Sequence, residues 1–461
     1  MRAMEEVVGD VARPRAAWPL NGDLGHLPGE QGFVAGARNL AGWLNRGADH
    51  LDELRRRHGN VFRSQFWIHP IVCVFDPELV AKIARNEDRA WSAALAWHFF
   101  FDGVDPTSAT MDSPVTLDFE PHKDARKLLQ PAFSGAAVAG YLETAAPMFA
   151  RAIDRWVTDG RVTFKPAIRR LLAEVSTRIF IGEGDSREAE TLDRALADFW
   201  AAPMAMTKNR WLSPKWRRAM QGHRTLRETL RPKVAERRRG EGTDLFSRLC
   251  RTEREGEWLD DDGLVRLFIG LLAGAFDTTS LGLASMMYLL ARHPEWQERI
   301  REEARAIPSP TAEDVRRLEV TDRAWKETLR LFPVSANLPR VSLRDVDLGG
   351  FRIPAGTLVQ AMTGPLGRDP AWWTEPRKFD PDRFGADRAE DRKHPGAFVP
   401  FGAGAHACIG MHLSNLEAKL FCHALVTKTR FRLEDDREAG HVYAPLGSVK
   451  GDVGLVIEKI G

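Results

Sequence analysis

The stretch Phe401–Gly410, FGAGAHACIG, decides how this chain is interpreted, because it places a cysteine just before a predicted helix, MHLSNLEAKLFCHAL. At a helix start, unpaired backbone N–H groups and the helix dipole both favour a thiolate over a thiol. Gly402, Gly404 and Gly410 allow the backbone to turn tightly and to approach a flat group. Cys408 is therefore a candidate nucleophile, redox thiol or metal ligand. Its structural alternative is a small buried apolar residue.

The composition is that of an ordinary globular protein, with 461 residues, 43% of them hydrophobic and 28% charged. The 66 basic and 64 acidic residues nearly cancel, so no overall field favours nucleic acid or an anionic membrane. We expect a loose tail over residues 1–15 and a single domain over 16–461, because no Ser/Gly-rich linker or run of charge divides the chain.

The cysteines and the N-terminus indicate the compartment. Cys73, Cys250, Cys408 and Cys422 form no CxxC pair, which argues against a disulfide framework or a structural zinc site and favours a reducing, cytoplasmic location. The N-terminal residues carry charges throughout and no long apolar run. They predict neither a signal peptide nor a membrane anchor.

Apolar periodicity predicts a mainly α fold with a minor β portion. Helices are expected over 34–58, 76–85 and nearly all of 121–303, strands over 60–66 and 71–75, and an irregular segment over 91–113. The longest predicted helix, 260–294, is apolar nearly all round, which is typical of a buried central helix. A transmembrane span is the alternative, and Asp277, Thr278 and Thr279 in its middle argue against it.

The cysteine stretch resembles the heme-binding loop of the cytochrome P450 family, Phe-x-x-Gly-x-Arg/His-x-Cys-x-Gly. The corresponding residues are Phe401, Gly402, Gly404, His406, Cys408 and Gly410. The resemblance implies the P450 fold, with the central helix over a heme b (iron protoporphyrin IX), the Cys408 thiolate as iron ligand, and His406 beside a heme propionate. The amides of Ile409, Gly410 and Met411 would donate hydrogen bonds to the sulfur.

A second resemblance concerns three charged residues. KETLRLFP contains Glu327 and Arg330 at the spacing of the family's Glu-x-x-Arg motif, and FDPDRF supplies Arg383 at the place of its third member. Taken alone, Glu327 and Arg330 would be an ordinary surface pair on one helix face. The resemblance implies a buried triad that braces the segment beneath the heme, where each charge needs the others.

The motif GAFDTT, residues 274–279, resembles the family's oxygen-activation motif, Ala/Gly-Gly-x-Asp/Glu-Thr-Thr/Ser. The resemblance implies that Thr278 holds dioxygen and that Asp277 connects the site to solvent protons, so these two are the candidate catalytic residues. Ala275 stands beside the heme where the family usually has a second glycine. The structural alternative is a threonine that bonds to its own helix.

Three basic residues resemble the family's propionate ligands. His122 and Arg126 lie four residues apart in PHKDARKLLQPAFS, and Arg340 lies in NLPRVS. Each alone would be an ordinary solvated surface residue. Together they imply an anion site, because arginine forks suit carboxylates.

Apolar residues at positions that line the family's distal pocket imply an apolar substrate. They are Trp97, Phe99, Phe100, Phe101, Leu271, Leu272, Phe276, Val334, Asn337, Leu446 and Val449. Plain core packing explains many of them equally well.

The resemblance implies a heme-thiolate monooxygenase (EC 1.14) that inserts one atom of O2 into a lipid, terpenoid, steroid or fatty acyl compound. Because no flavin or iron–sulfur motif follows the heme loop, a separate ferredoxin and ferredoxin reductase would supply electrons, and Lys123 and Lys127 are candidates for docking an acidic partner. Two alternatives stay open: an enzyme that needs no electron partner, such as an H2O2-using peroxygenase or a heme-thiolate isomerase, and a non-catalytic heme sensor. The pair Asp277 and Thr278 argues against the first, and the lack of a signalling module argues against the second.

Overall fold

The structure is a computed structural model, and it describes residues 23–66, 69–104, 113–182, 186–205, 207–254, 257–443 and 446–460. The tail predicted over residues 1–15 lies outside these ranges, and the single domain over 16–461 stays a prediction. Most of the described residues are helical and the sheets are small, which confirms the predicted mainly α fold.

The helices are α1 Phe33–Arg46, α2 Ala48–His58, α3 Pro77–Arg85, α4 Ala93–Phe101, α5 Phe119–Leu129, α6 Gly135–Asp159, α7 Phe164–Phe180, α8 Ser186–Phe199, α9 Pro214–Leu230, α10 Lys233–Arg239, α11 Leu245–Cys250, α12 Asp261–Ala275, α13 Thr278–Arg292, α14 Pro294–Arg305, α15 Ala312–Arg316, α16 Glu319–Leu331, α17 Thr363–Leu366 and α18 Met411–Lys428. The strands are β1 Val61–Phe66, β2 His69–Val74, β3 Trp91–Ser92, β4 Arg161–Thr163, β5 Glu253–Arg254, β6 Glu257–Trp258, β7 Leu338–Ser342, β8 Val346–Leu348, β9 Phe351–Ile353, β10 Leu358–Ala361, β11 Thr429–Leu433, β12 His441–Val442, β13 Ser448–Val449 and β14 Gly454–Lys459.

The largest sheet among the described residues has the strand order β1-β2-β10-β7-β3. β1 and β2 run antiparallel, with Val61 opposite Val74, and β10 runs parallel to β2, with Val359 opposite Val72. These valines are buried, as expected for strands rich in β-branched residues. β7 pairs antiparallel with β10 and carries Arg340, so the sheet fixes the position of that candidate ligand.

The predicted central helix is present but divided. α12 and α13 follow one another and are interrupted at Phe276 and Asp277. Thr278 Oγ1 donates to the Gly274 carbonyl at 2.8 Å and Ser280 Oγ donates to the Asp277 carbonyl at 2.8 Å, and such bonds are known to bend helices. The span Asp261–Arg292 is apolar enough to cross a membrane, but 78% of its most apolar window is buried inside the fold, as in the core helix of a globular protein.

Two local predictions are wrong. The helix expected over 34–58 breaks at Gly47, which has a φ of 50° and where a Cβ would lie 2.5 Å from Cδ2 of Tyr443. The segment 91–113, expected to be irregular, contains α4, because the Ser92 side chain caps its start by accepting a hydrogen bond from the Leu95 N–H at 2.9 Å. Residues 105–112 of that segment lie outside the described ranges.

Candidate active site

Two glycines shape the loop that carries Cys408. Gly402 and Gly404 have φ values of 71° and 67°, in the left-handed region that favours glycine. A Cβ on Gly404 would lie 2.7 Å from Cα of Arg85 at the end of α3, so the loop packs directly on that backbone. The Cys408 N–H donates to the Phe401 carbonyl at 2.8 Å and closes the turn. The predicted tight loop is therefore present.

Cys408 differs from the other cysteines in having an exposed surface, whereas Cys73, Cys250 and Cys422 are buried. Burial within the surrounding protein raises the pKa of the Cys408 thiol. Hydrogen bonds from the Gly410 N–H and the positive charge of Arg126 act in the opposite direction. Cys408 is therefore an exposed residue whose sulfur has backbone donors beside it, which suits an atom that binds a metal.

The backbone amides behave largely as expected. Two of the three predicted donors, Gly410 and Met411, hydrogen-bond to the Cys408 sulfur. Arg126 is anchored nearby, because its Nη1 donates to the Ala407 carbonyl at 2.5 Å. The guanidinium thus lies beside the cysteine loop.

The two candidate histidines meet at this loop. The rings of His122 and His406 have centroids 4.1 Å apart at an angle of 33°. His122 is 3% exposed, and its Nε2 has no hydrogen-bond partner among the described residues. Burial and the charge of His406 lower the pKa of His122 to about 4, so its ring is neutral at pH 7.

Arg340 is a buried cation at the same place. It is 4% exposed, and its Nη1 donates to the Pro339 carbonyl at 2.8 Å. No carboxylate in the described ranges forms an ion pair with it, and burial lowers its pKa to about 10. The charge of Asp118 partly offsets this burial, and a buried guanidinium without a direct ion pair suits an anionic ligand. With the unpartnered His122, it fits a ligand that carries carboxylates.

The structure adds Asp118, a residue that none of the motifs includes. Asp118 Oδ1 lies 3.5 Å from Nε2 of His406 and accepts the N–H of Ala93 at 2.9 Å. Burial by itself would raise the pKa of Asp118, but hydrogen bonds from His406 and Ser92 outweigh this effect and lower the pKa. The only signal in the sequence is its position four residues before His122. Asp118 orients His406 and links the cysteine loop to α4.

The predicted charge triad is present and larger than expected. Arg330 Nε lies 2.6 Å from Glu327 Oε2, Arg383 Nε lies 3.0 Å from Glu327 Oε1, and all three are at most 1% exposed. Glu390 adds a fourth charge, with its Oε2 3.0 Å from Arg383 Nη1. Two arginines and two glutamates balance, which explains how the fold tolerates four buried charges.

The middle of the central helix faces open space. Gly274 is exposed although α12 is otherwise largely buried, and a Cβ built on it would have no atom within 4 Å. Ala275 and Thr278 beside it are half-buried. Thr278 Oγ1 bonds to its own helix, as the structural alternative predicted. The small residues of this motif leave room for a flat group and a small molecule.

Asp277 faces a basic residue that the sequence did not single out. Arg169 of α7 donates from Nε to Oδ1 of Asp277 at 2.6 Å, and its Nη2 lies 3.1 Å from Oδ1 of Asp193 on α8. Burial by itself would lower the pKa of Arg169, but the charges of Asp277 and Asp193 outweigh this effect and raise the pKa. The candidate catalytic acid therefore belongs to a three-residue ion-pair network.

The central helix is tied to the helix that follows Cys408. Thr279 Oγ1 donates to Ser414 Oγ at 3.1 Å, which joins α13 to the first turn of α18. Trp325 Nε1 donates to Asn415 Oδ1 at 2.8 Å, and a Cβ on Gly282 would lie 2.4 Å from the Trp325 ring. These contacts fix the position of the oxygen-activation motif relative to the cysteine loop.

Four of the aromatic residues expected at the distal pocket lie on α4, and Trp97 and Phe101 pack against the end of α8. The rings of Phe101 and Phe199 stack with centroids 4.8 Å apart, and the centroids of Trp97 and Trp200 lie 6.5 Å apart. Phe99 and Phe100 are half-buried, with centroids 5.0 Å apart. Together these residues form an aromatic cluster between the two helices.

The other pocket candidates divide by burial. Leu272, Phe276 and Val449 are at most 1% exposed and lie in the main core, and Leu271 is 7% exposed. These four behave as core residues. Val334, Asn337 and Leu446 are half-buried; the Val334 carbonyl accepts the Gly447 N–H at 2.8 Å, and the Asn337 side chain donates to Gln360.

Comparison with known proteins is consistent with this geometry. The family model Cytochrome P450 matches residues 40–450. The chain is 33% identical over 406 residues to the protein named cytochrome P450 136 of Mycobacterium tuberculosis, covering 86% of this chain and 80% of that one. It is 32% identical over 328 residues to cyclooctat-9-en-7-ol 5-monooxygenase of Streptomyces melanosporofaciens, covering 68% and 71%. The solved structure of retinoic acid-bound cyanobacterial CYP120A1 has the same fold, with a TM-score of 0.85, 22% identity and 94% and 99% coverage.

Proposed function

This chain belongs to the cytochrome P450 family and is a heme-thiolate monooxygenase, and we propose that Cys408 supplies the thiolate, that Asp277 and Thr278 deliver protons, and that the substrate is a small apolar compound. When bound, the heme supplies the iron at which dioxygen is activated, so that one oxygen atom enters the substrate and the other leaves as water. The single observation that carries the proposal is Cys408, an exposed residue whose sulfur accepts hydrogen bonds from the Gly410 and Met411 amides.

The residues around the loop fit the heme. Gly274 leaves space on the central helix, and the cysteine loop presents Cys408 as an exposed residue. His122 has an unpartnered ring nitrogen and Arg340 is a buried cation, and we propose that they, with Arg126 and His406, hold the two propionates. The two propionates would also provide hydrogen-bond and charge partners for polar side chains that are costly to bury alone.

The proton path would run through Asp277. Its carboxylate is held by Arg169 on the side of α7, and Thr278 follows it directly at the break of the helix. We propose that Asp277 takes protons from the solvent side and that Thr278 Oγ1 gives up its bond to the Gly274 carbonyl to pass them on. An acid–alcohol pair in an apolar helix suits a reaction that consumes protons.

The aromatic cluster of α4 and α8 supports an apolar substrate. Pockets lined by aromatic and aliphatic side chains select ligands of the same character. The names of two similar proteins mention cyclooctat-9-en-7-ol and retinoic acid, which are both largely hydrocarbon. We therefore propose a lipid, terpenoid, steroid or fatty acyl substrate. A screen of such compounds for the optical low-spin to high-spin shift tests this class, and a preference for polar compounds would contradict it.

Bacterial members of the family generally use ferredoxin systems, and we propose a ferredoxin with its reductase as the electron source. Lys123 and Lys127 on α5 are largely exposed, but they lie 3.4 Å from Glu120 and 3.5 Å from Asp124, which weakens their field. A slower first electron transfer at higher salt would support docking of an acidic partner. The four free cysteines support a cytoplasmic location.

Replacement of the proposed iron ligand tests the assignment. Cys408→Ser should abolish the red-shifted absorption band of the reduced carbonyl complex, because that band requires thiolate ligation. Cys73→Ala is the matched control, since Cys73 is buried away from the loop and should keep the band. A Cys408→Ser protein that retains the band would overturn the assignment.

A further inference from the structure

A cleft lies between the first two helices, α1 and α2, and none of the residues that line it belongs to the site described above. We call it the α1–α2 cleft. Its volume is about 410 Å³, which is within the range of sites for small molecules. The lining includes Arg38, Asn39, Arg46, His50 and Arg57. The cleft therefore has the size of a ligand site and a polar, charged lining.

Five charged side chains form one alternating chain of ion pairs at this cleft. Glu30 pairs with Arg38, and its Oε1 lies 3.3 Å from Nη1 of Arg57. Glu53 lies 3.0 Å from Nη2 of Arg57 and 2.9 Å from Nη2 of Arg46. Three arginines face two glutamates, so the chain of ion pairs keeps one net positive charge.

The two arginines at the ends of this chain have donors to spare. Arg57, in the middle, uses both Nη1 and Nη2 for the glutamates. Among the described residues, Arg38 and Arg46 make their contacts through Nη2 alone. The remaining N–H groups of each guanidinium suit a carboxylate, which binds an arginine through two parallel hydrogen bonds.

His50 adds a hydrogen-bond donor that has no acceptor. The side chain is 5% exposed, and Nη2 of Arg46 lies 2.8 Å from its Nδ1. Burial and the charge of Arg46 lower the pKa of His50, so the ring is neutral at pH 7. Because an arginine can only donate, Nδ1 accepts and the proton of the ring is on Nε2. That Nε2 has no hydrogen-bond partner in the part of the chain that the structure describes.

Asn39 adds an acceptor that has no donor. It is 6% exposed, and its Nδ2 donates to Ser64 Oγ at 3.2 Å, whereas its Oδ1 has no partner within the described ranges. Gly42 lets the His50 ring approach α1, because a Cβ there would lie 2.5 Å from Cε1 of His50. A donor and an acceptor that are both buried and unsatisfied are costly, and a bound ligand removes that cost.

We propose that the α1–α2 cleft binds a small hydroxylated carboxylate, of which a sugar acid is the simplest kind. One net positive charge matches one carboxylate, whereas a phosphate monoester carries roughly 1.5 to 2 negative charges at pH 7. A hydroxyl group both donates and accepts, so the hydroxyls of the ligand supply a donor for Asn39 Oδ1 and an acceptor for His50 Nε2. Because both side chains are buried, the ligand must enter between the helices to reach them.

Calorimetric titration of the heme-loaded protein with gluconate tests the proposal. We expect one gluconate to bind per chain. Sorbitol has the same number of carbon atoms but no charge, and it should bind at least about tenfold more weakly because it cannot pair with arginine. Inorganic phosphate should also bind more weakly than gluconate. The optical spin state should not change with gluconate, which distinguishes this cleft from the proposed heme pocket.

Two variants identify the cleft as the place of binding. Arg46→Gln and, separately, Asn39→Leu should each weaken gluconate binding by at least about tenfold. Arg46 is 54% exposed, so its replacement does not disturb the core. Arg56→Gln is the matched control, because Arg56 is an exposed arginine of α2 outside the lining of the cleft, and it should bind like the wild type.

Three outcomes would overturn the proposal: the wild type fails to bind gluconate, or it binds sorbitol equally well, or the Arg46→Gln variant binds gluconate as tightly as the wild type. Tighter binding of inorganic phosphate than of gluconate would contradict the class of ligand. Because the heat of binding is measured without turnover, failure of the proposed monooxygenase roles would leave this result unaffected.

Discussion

Arg169 donates a hydrogen bond from Nε to Oδ1 of Asp277 at 2.6 Å and reaches Oδ1 of Asp193 through Nη2 at 3.1 Å. One guanidinium thus joins the break in the central helix to α8. Each carboxylate favours the charged form of the arginine. The position of the proposed catalytic acid therefore depends on residues outside its own motif.

Removing that guanidinium should impair proton delivery more than binding. In Arg169→Ala we expect Asp277 to lose its fixed orientation, so the fraction of consumed dioxygen that yields product should fall by about threefold to tenfold, with more hydrogen peroxide released and a larger solvent isotope effect. The affinity for substrate, measured by the optical spin shift, should change little. Arg170→Ala, at an exposed neighbouring position, is the control. Equal coupling in the two variants would contradict the role of Arg169.

Glu417 makes stability depend on pH. This residue of α18 is 7% exposed, and burial raises its pKa to about 8. The pKa of Glu417 is higher in the folded than in the unfolded protein. The stability that depends on its protonation is therefore fully present below about pH 4.5 and is lost as the pH rises toward 8. Glu417→Gln should therefore raise the free energy of unfolding at pH 7 by up to ~3 kcal/mol, measured by denaturant unfolding. This gain should vanish near pH 4. A gain that is constant with pH would contradict this account.

The buried charge cluster should be sensitive to loss of one member. Arg383→Ala leaves Glu327 and Glu390 without their shared partner, and we expect a loss of about 3–5 kcal/mol in the free energy of unfolding. Arg299→Ala is the control, because Arg299 pairs with Asp382 at 2.8 Å where both side chains are 42% exposed. The control should lose less than ~1 kcal/mol. Similar losses in the two variants would show that the cluster does not brace the fold.

Gly404 should tolerate substitution less well than Gly402. Both have positive φ, so alanine at either position costs about 1–2 kcal/mol in backbone strain. At Gly404 the new Cβ also meets the Arg85 backbone at 2.7 Å, whereas at Gly402 the nearest atom is 3.7 Å away. We expect Gly404→Ala to lose the carbonyl band and unfold at lower temperature, while Gly402→Ala keeps the band. The reverse order would contradict the packing of the loop on α3.

The sequence predicted the parts of the fold that depend on local pattern. Apolar residues over 260–294 indicate a buried helix regardless of what surrounds it, and that helix is present. The break at Gly47 has no such signal, because it depends on Tyr443, which packs on Gly47 from a distant part of the chain. The start of α4 likewise depends on Asp118, which accepts hydrogen bonds from the N–H groups of Ala93 and Ala94.

The same division holds for the site. Cys408, Glu327 and Thr278 lie in motifs whose spacing is visible along the chain. Arg169 meets Asp277 across 108 positions, and no spacing within the chain indicates that contact. Burial is also invisible to pattern, which is why Leu272 and Phe276 match pocket positions yet lie in the core.

The hydrogen bond between Thr279 and Ser414 joins the two helices that carry the proposed chemistry, α13 and α18. Because this bond joins α13 to α18, it helps to fix the distance between the oxygen-activation motif and the helix that follows Cys408. The aromatic cluster of α4 and α8 takes no part in that hydrogen bond. Grafting the aromatic faces of those two helices from another member, while Asp193 of α8 and Asp118 beside α4 are kept, should transfer substrate preference and leave the reaction centre intact.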